Sequence, residues 1–320
     1  MAIYILKRVL LSIPTLIIAS IIIFLLIHMA PGGPVRVMLG PMQDPALVEK
    51  IRHQLGLDLP LYKQYALWLG KILQGDLGIS VTIQRGAQVL DLIAQRYMVT
   101  LELAILSMII ATVIAIPTGM ISALHQNKLS DHVSRIIALL GISIPNFFLG
   151  IMLIMVFGVV FLFPWGSGGY VSLKESLSGN VLRMILPAIA LGTAYSAVVM
   201  RMMRSAMLDV MGQDYVRTAR AMGVGWFSIV SRDITRNALI PVVTVMGNSI
   251  GYLLGGSIVT ETVFRMPGVG NLIITGVFRR DFPVIQGIVL SIVVIRILVN
   301  LIVDLTYSWL DPRIRYGGKK

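Results

Sequence analysis

Long apolar stretches alternate with polar segments along this chain. The first, Val9 to Ala30, contains no Asp, Glu, Lys or Arg over more than the ~20 residues a bilayer core requires. Comparable apolar stretches follow at roughly 98–121, 136–163, 185–204, 237–262 and 284–310. The pattern predicts an all-α polytopic membrane protein with six transmembrane helices. The first run is far longer than the ~7–15 residues of a signal-peptide core, so it reads as an uncleaved anchor behind Lys7 and Arg8. The expected organisation is a short N-terminal segment (1–8), a first span (9–29), a helical cap (30–97) and a core (98–320). The core holds the other spans, a polar loop at 205–236 and the C-terminal segment 311–320.

Between the first two spans, Pro31, Gly32, Gly33 and Pro34 end the first helix. Asp44-Pro45 opens a helical pattern that Gly56 closes, and Pro60 opens another with Leu61, Tyr65, Trp68 and Leu69 on one face. Gly75-Asp-Leu-Gly78 is a turn, and Val89 to Ala94 reads as a short helix leading into the second span. The Gly-rich 164–184 segment reads as a loop. So does 263–283, with Met266-Pro-Gly-Val-Gly270 and Arg279-Arg-Asp-Phe-Pro283.

Composition agrees with this picture. Of 320 residues only 13% are charged, against about 25% in soluble domains, and the mean hydropathy is +0.85. The isoelectric point near 10.2 is a topology signal. Segments 1–8, 122–135, 201–236 and 311–320 carry 14 Lys and Arg and net +9, whereas 30–97, of equal total length, carries 7 and net +2. The basic side faces the cytoplasm, which puts both termini there and the cap outside. No basic stripe lies away from the membrane-flanking segments, so nucleic acid is not an expected partner. The partner surface is the lipid bilayer.

Little in the chain points to chemistry. There is no cysteine, which excludes disulfides and thiolate metal sites. No phosphate-binding Gly-rich loop and no His-Glu-x-x-His is present. His28, His53, His125 and His132 are scattered, and the 18 Met residues read as packing filler. No cofactor or metal is expected in this chain, and no catalytic residue.

Two polar features remain. The run Asp214 to Gly223 sits between apolar stretches, with Asp214 suited to an N-cap and Gly223 to a stop. Two turns of helix are unstable alone in water, so it must dock on something. Tyr215, Ala219 and Met222 share one small apolar face, flanked by Arg217 and Arg220. In the sixth span Arg296, Asn300, Asp304 and Ser308 recur every four residues as a polar stripe. A charge near mid-span costs about 2.5–3.5 kcal/mol on insertion scales and nearly always faces a bundle interior or a wet cavity. The stripe serves either as glue, with Arg296 reaching Asp304 or Glu102 or holding a neighbouring subunit, or as lining of a path. Glue is the expectation.

The ordered pieces along the chain resemble the permease subunits of ATP-binding-cassette importers, in particular the first permease of the dipeptide, oligopeptide and nickel group. They include Ala30-Pro-Gly-Gly-Pro34, Leu55-Gly-Leu-Asp58, Leu61-Tyr-Lys-Gln-Tyr65, Thr100-Leu-Glu-Leu103 and Ser143-Ile-Pro-Asn-Phe147. Gly212-Gln-Asp-Tyr-Val-Arg-Thr-Ala-Arg-Ala221, Arg236-Asn-Ala-Leu-Ile-Pro241, Glu261-Thr-Val-Phe264 and Asp311-Pro-Arg-Ile-Arg315 continue the series. The wider family's loop pattern Glu-Ala-Ala…Gly is represented here by Arg217-Thr-Ala219 and Gly223, so the family's glutamate has no counterpart. The resemblance implies the type I importer permease fold in a prokaryotic cell membrane. It implies that Asp214, Tyr215, Val216, Arg217, Thr218, Ala219, Arg220, Met222 and Gly223 form a coupling helix. The implied partners are a second homologous permease, two cytoplasmic ATPases that bind ATP and Mg, and an extracytoplasmic solute-binding protein. Import of di- or oligopeptides is the expected function, with nickel or a metal chelate as the alternative. An ion-coupled secondary transporter would have to work with Glu102, Arg296 and Asp304 alone; a membrane enzyme would need converging polar groups that the sequence does not show.

Overall fold

The computed structural model describes residues 2–29, 53, 57–166 and 168–310. Its helices are α1 (Ala2–His28), α2 (Leu61–Leu73), α3 (Val89–Leu124), α4 (Leu129–Ser143), α5 (Asn146–Leu153), α6 (Leu177–Met211) and α7 (Asp214–Ala221). They continue with α8 (Trp226–Ser228), α9 (Thr235–Gly256), α10 (Ile258–Val263), α11 (Val269–Arg279) and α12 (Phe282–Leu310). π-helical turns at Ile154–Val160 and Ile229–Ile234 extend α5 and join α8 to α9. Among the described residues the only β pairing is one isolated bridge, Ile79 with Gln88. The expected helical pattern from Asp44 lies, apart from His53, outside the described residues.

By length and composition, Val89–Leu124, Leu177–Met211, Trp226–Leu254 and Phe282–Val303 each suffice to cross a membrane, and α1 carries a shorter apolar run, Leu10–Leu26. The expected third span, 136–163, is bent. Its residues fall on α4 and on α5 with its π turn, and the two arms meet at 95°. Proline explains the break. Ile144, forced out of the helical region by the ring that follows, is extended at φ −83°, ψ 118°. Pro145 then starts α5, and its carbonyl accepts the Leu149 amide at 3.1 Å. Two other boundaries also move. Val89 begins a single 36-residue helix, and α9 starts at Thr235 with Pro241 inside it. In a membrane, neighbouring groups can re-satisfy a backbone that proline interrupts.

The chain divides into two compact units, 1–100 with 267–301, and 101–266 with 302–320. In the first, Val89, Leu92, Ile93, Val269, Leu272, Val284 and Ile288 form the core. α2 docks on α1 through the face expected for it. Phe24 meets the rings of Tyr65 and Trp68 at centroid distances of 5.5 and 5.6 Å, and Ser20 Oγ lies 2.8 Å from Tyr65 Oη. His28 contacts Gln64 Oε1 at 2.9 Å, as an interfacial hydrogen-bonding residue would.

In the second unit the helices approach very closely. A Cβ on Gly119 would lie 2.8 Å from Met203 Cβ and 2.9 Å from the Met200 carbonyl, and one on Gly192 would lie 2.7 Å from the Ser107 carbonyl. Lipid provides no hydrophobic force between spans, so α3 and α6 gain from close van der Waals packing, which the glycines permit. Val199, Met200, Met203 and Met207 of α6 join Ile229, Ile234, Ala238 and Val242 in one buried cluster. The methionines act here as the packing filler the composition suggested.

Candidate functional site at the 214–223 helix

The α7 helix forms where the polar run was expected. Gln213, not Asp214, occupies the cap position, and it makes no side-chain cap bond. Asp214 is the first helical residue, where its charge still suits the positive end of the peptide dipoles. Gly223 stops the helix at φ +82°, with its amide on the Arg220 carbonyl at 3.0 Å and the Val224 amide on the Ala219 carbonyl at 3.2 Å. This paired closure requires the left-handed conformation that glycine adopts without steric cost.

The two sides of α7 differ from the expected single face. Val216 is only 3% exposed and belongs to the buried cluster with Met203, Met207, Ile229 and Val230. Ala219 is half-buried against the same cluster and so faces the chain's own core. Tyr215 and Met222 are open, Met222 to 72%, and the Tyr215 hydroxyl accepts from Asn237 Nδ2 at 3.2 Å. The segment after α7 enlarges the exposed side: Val224, Trp226 and Phe227 are exposed, Phe227 to 85%. The Arg220 guanidinium lies 3.9 Å from the Trp226 ring centroid. Arg217 pairs loosely with Asp214 at 3.6 Å in a fully wet setting, and Thr218 Oγ1 bonds back to the Asp214 carbonyl. The result is a fixed apolar patch with basic edges. Sequence reading missed its Trp226 and Phe227 contribution, because they lie past the helix stop; two aromatic residues in a polar loop were the available signal.

The Glu102 carboxylate accepts from the Tyr170 hydroxyl at 3.0 Å and from Asn180 Nδ2 at 3.1 Å. These bonds tie Tyr170 and the start of α6 to α3. Burial pushes the Tyr170 phenol up to about 12, and the neighbouring Glu102 adds to the shift, so the hydroxyl stays protonated as a donor. Arg296 and Asn300 are exposed on α12, as are Val294 and Leu298, whereas Val284, Ile288 and Leu290 nearer its start are buried. The side chains of Asp304 and Ser308 lie outside the described ones. Sequence reading passed over Glu261 as an ionisable candidate. It is fully buried on α10 and takes the Ser257 hydroxyl at 2.6 Å.

Two further buried carboxylates were missed altogether. Asp131 accepts Arg204 Nε and Nη2, each at 2.8 Å, Ser122 Oγ at 2.6 Å and the Asn127 amide at 2.9 Å. Arg135 Nε lies 3.5 Å away as an ion-pair contact without hydrogen-bond geometry. Asp281 gathers Ser80 Oγ at 2.7 Å, the amides of Val81, Thr82 and Ile83 at 2.9–3.1 Å, and Thr82 Oγ1 at 3.2 Å, all on Oδ2.

Residues 1–104 match the N-terminal part of the binding-protein-dependent transport system membrane component, and residues 115–316 match the binding-protein-dependent transport system inner membrane component. The glutathione transport system permease protein GsiC of Escherichia coli O6:H1 is 45% identical over 313 residues, covering 98% of this chain and 99% of its own length. GsiC of Shigella dysenteriae serotype 1 is 44% identical over the same span. Among solved structures, the MetNI methionine ABC transporter in inward-facing form matches with a TM-score of 0.54 and 19% identity over 69% of this chain and 96% of its own. An amino acid ABC transporter crystallised with histidines matches at 0.51 and 16%, over 68% and 94%.

Proposed function

The chain belongs to the binding-protein-dependent transport system inner membrane components, the permease subunits of ATP-binding-cassette importers with the type I fold, and on that premise we propose that it carries peptides of glutathione size. With a second homologous permease it forms the path, an extracytoplasmic binding protein delivers the solute, and two ATPases drive it from the cytoplasm. The observation that supports this most is the 45% identity to a glutathione permease over 98% of the chain. The apolar patch on α7 and the Val224–Phe227 segment suits the ATPase end of the machine. Val216 plugs into the chain's own core while Tyr215, Met222 and Phe227 remain open for a partner groove. The excess of Lys and Arg supports a cytoplasmic position for that end, with both termini, and an outer position for the 30–97 cap. The chain itself performs no covalent step; ATP and Mg act in the partner subunits.

Uptake into vesicles holding the complete complex tests the reading. Labelled glutathione and glycyl-dipeptides are expected to accumulate when ATP is inside and the binding protein outside. Accumulation of nickel, with no peptide uptake, overturns the substrate assignment. Peptide uptake that persists without the ATPases overturns the coupling to ATP.

A further inference from the structure

Asp131 and Arg204 have no part in the function proposed above, yet they make the most heavily bonded buried charge pair among the described residues. The Asp131 side chain is fully buried, and Arg204 grips both its oxygens in a fork. The same carboxylate takes the Ser122 hydroxyl from the last turns of α3. It also takes the amide of Asn127, whose φ of +63° is one that asparagine tolerates better than most residues. One side chain thus joins α3, the 125–128 turn, α4 and α6.

Beyond this point the contact between α4 and α6 is smooth. Ala138 and Ala197 are buried, and a Cβ on Gly141 would meet only ordinary contacts of 3.5–3.6 Å with Thr193 and Ala197. Small apolar surfaces permit shear between packed helices. A bidentate guanidinium–carboxylate pair does not, because its geometry is directional. Such a pair adds little net stability compared with apolar packing of the same volume, so its contribution here is geometric. Arg204 also sits between Met203 and Met207, and those two share the buried cluster with Val216 of α7. α4 is then a lever of 15 residues, pinned at its first turn and ending at the Pro145 break.

We propose that the Asp131–Arg204 pair is the positioning contact through which a displacement of the 214–221 helix reaches α3 and α4. The proposal rests on the reading that this helix meets an ATPase. Without the fork, α6 would follow α7 while α4 slid past it.

The test is hydrogen exchange on the complete complex in lipid, with and without a non-hydrolysable ATP analogue, for the wild type and Arg204→Lys. Lysine keeps the charge but not the fork. In the wild type the analogue is expected to change exchange at both 214–223 and 122–137. In the variant the change at 214–223 remains while that at 122–137 shrinks about threefold or more. The thermal midpoint of the complex, read alongside, should stay near wild type. A full response at 122–137 in the variant, or none there in the wild type, overturns the proposal. Failure of the variant to assemble also overturns it, making the pair a folding element. No response at 214–223 in the wild type instead removes the coupling reading itself.

Discussion

Each unit of the molecule buries an aspartate near a helix end, and the two are satisfied by different means. Asp281 is surrounded by neutral donors: the Ser80 hydroxyl and the 81–83 amides fold around one oxygen, and among the described residues no cation pairs with it. Asp131 is held by a guanidinium from a helix 73 residues away in sequence. Amides that converge on a carboxylate shape a loop and keep it in place. A charge pair between helices holds two rigid bodies in register. The first device therefore suits a surface that must keep its form, and the second suits a joint that must pass on movement.

Breaking the joint should have the largest effect. Asp131→Ala leaves the half-buried Arg204 guanidinium without its acid; removing one partner of a fully buried pair costs about 3–5 kcal/mol, which is the upper bound here. Thermal unfolding of the purified complex should show the loss. A variant as stable as wild type would mean the pair is not buried in the assembled protein.

The Asp281 loop should respond less and more locally. Asp281→Ala orphans the 81–83 amides, at about 1–3 kcal/mol for buried donors left unpaired. Exchange should quicken at 79–88 and leave 122–137 unaltered; equal quickening in both would erase the contrast. Acid should act in the same direction. Burial pushes the Asp281 carboxyl up, but the Ser80 hydroxyl and the Ile83, Thr82 and Val81 amides outweigh it, so the folded value lies below the usual one. Its contribution is then complete above the unfolded value of about 4 and is lost as pH falls toward the lowered folded value. Protection at 79–88 in wild type, relative to intrinsic exchange at the same pH, should stay flat from pH 7 to about 5 and fall only below about 4. A loss of protection near pH 6 would assign the loop's stability to another group.

At α7 the expected effect is on association more than on folding. Gly223→Val forces a β-branched residue to φ +82°, at about 1–2 kcal/mol, and should reduce co-purification of the ATPases while the chain still inserts. Met222→Glu, on the exposed side, should do the same with no measurable loss of stability. Retained ATPases and full uptake in both would remove the coupling role.

Arg296→Leu is expected to act mainly on assembly, because Arg296 and Asn300 lie on an exposed part of α12. We propose that this stripe packs against the second permease, since exposed polar groups near mid-span are costly in lipid. Reduced capture of the second permease is the expected result. Intact assembly with reduced uptake would instead make the stripe part of the path.

The apolar stretches located the long helices, and the α7 segment was found to within a residue at its start. The same reading went astray wherever a polar residue's partner lay far along the chain. Asp281 belonged to an Arg-Arg-Asp-Phe-Pro segment read as a turn, and its Ser80 partner is 201 residues distant. Glu102 bonds to Tyr170 and Asn180, 68 and 78 residues on. The 95° break at Ile144-Pro145 was written in the proline, but a run of apolar residues hid it. The face of α7 was divided wrongly because Val216 and Tyr215 are both acceptable at a protein interface, and only packing decided which turned inward.

The sequence by itself determined which segments are apolar enough to leave water and where a short helix must start and stop. These depend on transfer free energies and backbone geometry, which each segment carries with it. Tertiary structure alone decided which helices touch at Gly119 and Gly192, which carboxylates find a cation and which find amides, and which side of α7 is free. Those outcomes depend on groups brought together across tens to hundreds of residues, where a buried donor or acid is tolerated only once its partner has arrived.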